Sequence, residues 1–217
     1  MRPCICGVIT SGDAAAIRAA AKLVDLFELR LDLVGPAWTE VARLLTKPWI
    51  ATNRLVSEGG RCGETEADRI AELMRAVAAG ATVVDIELTA PGLEQAVANI
   101  KKQAQCLISY HNLESTPLLG RLQEIVAAEL RARADICKVA TTAHCLDDNA
   151  VILELIKSFP EAKITAMAMG EAGQLSRVLG PLVGGLCAYG AVTEELPSAP
   201  GQLTVAQLAR LYGGLAL

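Results

Sequence analysis

RARADICKVATT, residues 131–142, sets a short apolar run directly behind an amphipathic stretch. Ile136, Cys137, Val139 and Ala140 read as a buried strand, and residues 117–132 before them as a helix. Lys138 stands in the middle of that strand, where taking an ammonium group out of water is costly.

The same alternation continues in both directions. Strand-like runs occur at CICGVI (4–9), LFELRL (26–31), WIATNR (49–54), TVVDIEL (82–88), CLISYH (106–111), DICKVA (135–140), KITAMAM (163–169) and GLCAYG (185–190). Helix-like stretches follow each in turn, at 13–23, 38–46, 64–79, 92–104, 117–132, 145–158, 171–180 and 203–213. Asp13, Thr39 and Pro91-Gly92 are candidate helix starts. Strict strand–helix alternation implies a parallel sheet, and eight such units predict a (β/α)8 TIM barrel, a single domain over residues 1–217. A doubly wound open sheet competes, but no glycine fingerprint for a dinucleotide follows the first strand. The longer irregular pieces, VSEGGRCGE (56–64) and AVTEELPSAPGQ (191–202), both follow strands, which in a barrel puts them over the active face.

Composition narrows the function. The chain has 217 residues, of which 52% are hydrophobic and only 3% aromatic, so aliphatic side chains must build the core. A net charge of −4 without a basic block argues against nucleic acid as a partner. No apolar run is long enough to span a bilayer and no signal peptide is visible, so a membrane role is not expected. The seven scattered cysteines read as small buried hydrophobes of a reducing cytoplasm. The Cys4-x-Cys6 pair has no second pair at zinc spacing, so no metal site is expected.

Strand parity assigns faces. Phe27, Leu29 and Leu31 oppose Glu28, Arg30 and Asp32; Val84, Ile86 and Leu88 oppose Asp85 and Glu87; Ile108 and Tyr110 oppose Ser109 and His111; Cys137 and Val139 oppose Ile136, Lys138 and Ala140. With the apolar faces against the outer helices, Glu28, Arg30, Arg54, Glu87, His111 and Lys138 converge inside the barrel. So many ionisable groups make a poor core, and their desolvation cost points to a site. Burial should disfavour the ammonium form of Lys138 and leave a neutral amine, a nucleophile toward ketones and aldehydes. His111 can shuttle protons, with Glu58 placed to orient it. Arg30, Arg54 and Arg177 suit a ligand rich in anionic oxygens. His144 reads as solvated surface.

FELRLDL (27–33), TNR with SEGG (52–60), SYHN (109–112), KVA (138–140), MGEAGQLSR (169–177) and SAPGQ (198–202) closely resemble, in order and across almost the whole chain, the type I 3-dehydroquinate dehydratases. The resemblance implies a shikimate-pathway lyase that dehydrates 3-dehydroquinate to 3-dehydroshikimate. It assigns the Schiff base to Lys138, general acid/base catalysis to His111 and support of that histidine to Glu58. It places Glu28, Arg30 and Arg54 on the ring hydroxyls, Arg177 on the carboxylate, and Ser198 and Gln202 on a loop closing over the ligand. It further implies a cytoplasmic homodimer with no cofactor and no metal. SYHNL departs from the usual SYHDF at Asn112 and Leu113, where a change in local packing is expected, and Val8 stands near a serine that contacts substrate in many members. The hairpin that plugs the barrel bottom in longer members is expected to be missing, and the chain fits either a short enzyme or the first half of a fusion with a shikimate dehydrogenase. On the residues alone, an imine-forming aldolase acting on a sugar phosphate, or a binding domain without catalysis, are the alternatives.

Overall fold

The computed structural model of the chain describes residues 2–215. Eight strands, β1 (Ile5–Ile9), β2 (Leu26–Arg30), β3 (Trp49–Thr52), β4 (Val83–Glu87), β5 (Gln105–His111), β6 (Ile136–Thr142), β7 (Ile164–Met169) and β8 (Ala188–Ala191), form one sheet. Every paired neighbour is parallel, in the order β7-β6-β5-β4-β3-β2-β1-β8. The two ends approach each other where the Leu186 N–H donates to the Ile164 carbonyl at 2.7 Å. Helices α1 (Ala14–Ala20), α2 (Leu31–Val34), α3 (Trp38–Ala42), α4 (Glu66–Ala78), α5 (Leu93–Ile100), α6 (Leu119–Arg131), α7 (Asp147–Lys157), α8 (Gln174–Leu179) and α9 (Val205–Gly214) occupy the connections. This is the expected (β/α)8 barrel. No described helix is long and apolar enough to cross a membrane.

Local chemistry sets the helix starts. Asp13 caps α1 by accepting from the Ala15 and Ala16 N–H groups, and Thr204 closes a capping box with Gln207 at the start of α9. Gly92 precedes α5 at φ +67°, a conformation that favours glycine. Thr39 is not a cap: the Gly35–Ala37 turn leads directly into α3 and leaves Thr39 inside that helix. The second strand also ends earlier than its pattern suggests. The chain turns from Arg30 straight into α2, so Asp32 lies on a helix.

The parity reading holds. Phe27, Leu29, Val84, Ile86 and Ile108 join one helix-facing core, and Cys137 and Val139 another. Inside the barrel, Cys6, Val8, Ile50, Val83, Leu107, Ile136, Ala140, Met167, Cys187 and Tyr189 form a separate cluster. Along β4, β5 and β6 the inward positions run from Val83 to Asp85 and Glu87, from Leu107 to Ser109 and His111, and from Ile136 to Lys138. The barrel interior is therefore apolar toward the strand N-termini and charged toward their C-termini, where barrel enzymes carry their chemistry.

Candidate active site

The charged end opens into a cavity of about 160 Å³ lined by residues that include Glu28, Arg30, Arg54, Glu58, His111, Lys138, Arg177, Ser198 and Gln202. Nine of the residues singled out in the sequence therefore meet in one place, while Glu87 faces inward but lies behind Arg54, outside the cavity lining. Leu113 also lines it, so the departure from SYHDF reaches the cavity wall as well as local packing. Beside it, Asn112 Oδ1 accepts from the Glu114 and Ser115 N–H groups and holds the turn after β5. Val8 packs in the apolar interior cluster. His144 is exposed, with Nε2 against the Glu114 carbonyl, away from the cavity.

Lys138 Nζ donates to Glu28 Oε1 at 2.8 Å and to Asp85 Oδ2 at 3.0 Å, and lies 4.6 Å from the Tyr189 ring centroid. This corrects the expectation of a neutral amine. Burial does pull the pKa of Lys138 down, but Asp85 and Glu28 outweigh it and hold the group above its ordinary value. In the unliganded protein Lys138 is an ammonium ion. Asp85 is the residue that sequence reasoning missed. It shares the inward face with Glu87, but one strand viewed alone does not reveal that Lys138, two strands along, reaches back to it.

Arg54 fans across the floor of the site. It donates to Asp85 Oδ2 at 2.6 Å, Glu87 Oε1 at 2.9 Å and Ser109 Oγ at 2.7 Å. Behind Glu87, the wholly buried Arg69 of α4 donates to Glu87 Oε2 at 2.7 Å and to the Asn53 carbonyl at 3.1 Å. Arg30 forks onto Asp32 at 2.9 and 2.7 Å.

His111 is held twice by one oxygen. Its backbone N–H and its ring Nδ1 approach Glu58 Oε2 at 3.1 and 2.9 Å, while Glu58 Oε1 accepts from Thr89 Oγ1 at 2.8 Å. An Nδ1 proton directed at that carboxylate leaves Nε2 as the free acceptor of the ring. Burial first, then the Arg54 and Lys138 charges, hold His111 well below its ordinary pKa, so the ring is neutral and has a lone pair free to accept a proton. Burial pushes Glu58 up to about 7, against the opposing Thr89 hydrogen bond and Arg54 charge. The pair is a hydrogen bond between a neutral imidazole and a carboxyl, not a standing ion pair.

Arg177 is different from the other cations. It is buried, its hydrogen-bond partners among the described residues are Met167 Sδ at 3.6 Å and the Pro200 carbonyl at 3.3 Å, and its Nε has none there. Burial pushes its pKa down to about 10. A buried guanidinium without a counter-ion is a receptor for an anion. The 198–202 loop closes this side: the Ser198 N–H and Oγ donate to Gln202 Oε1 at 2.8 and 3.0 Å, and the Gly170 N–H donates to the Pro200 carbonyl at 3.0 Å. Gly201 sits at φ +69° with no room for a Cβ, which would come 2.2 Å from the Gly170 carbonyl oxygen. Gly60 is as tightly constrained, its Cβ position lying 2.0 Å from the Arg54 carbonyl oxygen.

A lysine, a carboxyl-held imidazole and a buried arginine thus share one barrel rim. The family model for type I 3-dehydroquinase covers residues 5–216. The chain belongs to the type I 3-dehydroquinase family. It is 43% identical over 210 residues to the 3-dehydroquinate dehydratase of Dehalococcoides mccartyi, covering 97% of this chain and 95% of that protein. The 3-dehydroquinate dehydratase of Methanothrix thermoacetophila is 35% identical over 198 residues, covering 90% and 84%. Among solved structures, the 3-dehydroquinate dehydratase from Aquifex aeolicus superposes with a TM-score of 0.83 at 25% identity, covering 99% of both chains. The nine cavity residues all lie within the matched span 5–216. The three-dimensional arrangement adds Asp85, Arg69 and Ser109 to them.

Proposed function

We propose that this member of the type I 3-dehydroquinase family dehydrates 3-dehydroquinate to 3-dehydroshikimate through an imine on Lys138. One observation carries the reading: a buried lysine and a neutral imidazole line the same cavity as an arginine that has no counter-ion among the described residues. Arg177 takes the substrate carboxylate, with Ser198 and Gln202 over it. Glu28, Arg30 and Arg54 take the ring hydroxyls.

Lys138 passes one proton to His111 and adds to the C3 carbonyl carbon. The carbonyl oxygen then leaves as water, and an iminium remains. His111 removes a proton from C2, and the electron pair moves onto the nitrogen to give an enamine. The enamine expels the C1 hydroxyl, which takes the proton from His111 and departs as water. A second water hydrolyses the conjugated iminium. Glu58 accepts from Nδ1 throughout and keeps Nε2 as the working nitrogen. The reading carries with it a cytoplasmic homodimer and one catalytic domain, without cofactor or metal.

Borohydride added with 3-dehydroquinate should leave a stable mass increase on the peptide containing Lys138, absent in Lys138→Ala, while untreated enzyme generates the absorbance of a conjugated enone. Turnover with no adduct would exclude the imine. Turnover of a sugar phosphate but not of dehydroquinate would favour an aldolase.

A further inference from the structure

Six buried side chains form a single row of alternating charge across the barrel. Arg69 meets Glu87 at 2.7 Å, Glu87 meets Arg54 at 2.9 Å, Arg54 meets Asp85 at 2.6 Å, Asp85 meets Lys138 at 3.0 Å, and Lys138 meets Glu28 at 2.8 Å. At its far end Arg69 also forks onto Glu66 of α4, at 2.7 and 2.9 Å, so these three cations and three carboxylates continue into a fourth, less buried carboxylate. None of the six is more than 6% exposed, so water does little to screen them.

Glu28 lines the cavity, whereas Asp85 does not. A ligand can draw Glu28 toward itself but cannot reach Asp85, which Arg54 and Ser109 Oγ (2.7 Å from Oδ1) lock in place. We infer that Asp85 is the permanent counter-ion of the nitrogen of Lys138, keeping the covalent intermediate protonated as an iminium from its formation until the C2 proton is removed. The inference rests on the imine reading above and adds Asp85 to it.

Charge balance is the reason. In forming the intermediate, the Nζ–C3 bond is made and the C3–O bond is broken. Two of the three ammonium protons leave with the oxygen as water, and the third stays on nitrogen. Ammonium and iminium carry the same single positive charge, so the charge of the row does not change. A neutral imine would remove one positive charge from the buried row and leave Asp85 with Arg54 as its remaining cation, shared with Glu87. An iminium withdraws electrons far more strongly than a neutral imine and so acidifies the C2 proton. The other groups facing this nitrogen are Arg54, the Tyr189 ring and, more distantly, Cys6. None of these supplies a carboxylate in place of Asp85.

The test is Asp85→Asn, which keeps the shape and removes the charge. Cyanoborohydride, which reduces iminium ions, should trap 3-dehydroquinate on Lys138 at pH 8 at least about tenfold more slowly than in the wild type. The alkaline limb of kcat should move down by about one pH unit or more. KM should change little, because Asp85 does not line the cavity. Wild-type trapping and an unmoved alkaline limb in Asp85→Asn would overturn the inference and leave the imine reading intact. Absence of any adduct in the wild type would instead overturn the imine reading, and this inference with it. Should Asp85→Asn fail to fold by circular dichroism, the adduct accumulated on His111→Ala, labelled with ¹⁵N at lysine Nζ, gives a second measurement. A nitrogen resonance that stays in the iminium range up to pH 9 supports the inference, and a neutral imine at pH 8 overturns it.

Discussion

Glu58 Oε2 accepts from both the backbone N–H and the ring Nδ1 of His111, at 3.1 and 2.9 Å. Two hydrogen bonds to one oxygen fix the plane and the tautomer of the ring, so Nε2 faces its work in one orientation. The restraint comes from a loop residue, while the histidine ends a strand.

The state of Glu58 should therefore set the acid limb of activity. With its carboxyl pushed up to about 7 by burial, Glu58 gains a proton as the pH falls through neutrality and becomes a weaker acceptor for Nδ1. kcat should fall below about pH 7 in the wild type. Glu58→Gln should keep the amide oxygen as acceptor, lose roughly tenfold in kcat and flatten that limb, while Glu58→Ala should lose on the order of a hundredfold. A pH profile of kcat decides, and a limb that survives in Glu58→Gln assigns it to another group.

Arg177 predicts opposite effects on binding and on stability. Arg177→Met should raise KM for dehydroquinate about 30-fold or more by removing a charge-assisted contact. The same change should raise the melting temperature of the unliganded protein, because it removes a buried guanidinium that lacks a counter-ion. Thermal unfolding without ligand alongside steady-state kinetics tests both halves.

Arg69 tests the far end of the charge row. It lies on α4, outside the cavity lining, and its removal takes a donor from Glu87 Oε2, the Asn53 carbonyl and both Glu66 carboxylate oxygens. Arg69→Met should destabilise the fold by about 3–5 kcal/mol in urea unfolding. Adding Glu87→Gln should cost less than the sum of the two single changes, as expected for directly paired groups.

Glu129 of α6 gives a prediction for stability against pH. It is wholly buried beside the Cys137 thiol, neither carboxyl oxygen has a hydrogen-bond partner among the described residues, and burial pushes its pKa up to about 9. The folded chain therefore holds this proton more tightly than the unfolded chain. That contribution to stability is complete below about pH 4.5 and is lost progressively as the pH rises toward about 9. Glu129→Gln should be nearly neutral at pH 5, and relative to it the wild type should lose stability steadily between pH 6 and pH 9 in chemical denaturation. Parallel curves for the two proteins would show that Glu129 does not titrate in that window.

The barrel and most of the site follow from local pattern. The alternation of period-two and period-3.6 runs is enough to specify eight βα units, because each strand must bury an apolar face against a helix and each helix an apolar stripe against the sheet. Parity alone separated Phe27 and Leu29 from Glu28 and Arg30, and Cys137 and Val139 from Lys138. Helix boundaries such as Thr39 were less legible, since a tight turn before α3 took the place of a side-chain cap.

Sequence by itself determined that a lysine, a histidine and several arginines point inward at the strand ends. Only the tertiary structure decided their electrical state. Lys138 is charged because Asp85 and Glu28, brought in from distant strands, outweigh the desolvation that considered alone would leave a free amine. Arg177 is a buried cation without a carboxylate among the described residues, because the elements described around it bring only a thioether and a backbone carbonyl to its guanidinium. Desolvation can be anticipated from an apolar run, but Coulomb energy depends on the distance between groups far apart in the chain, and those distances exist only once the barrel has closed.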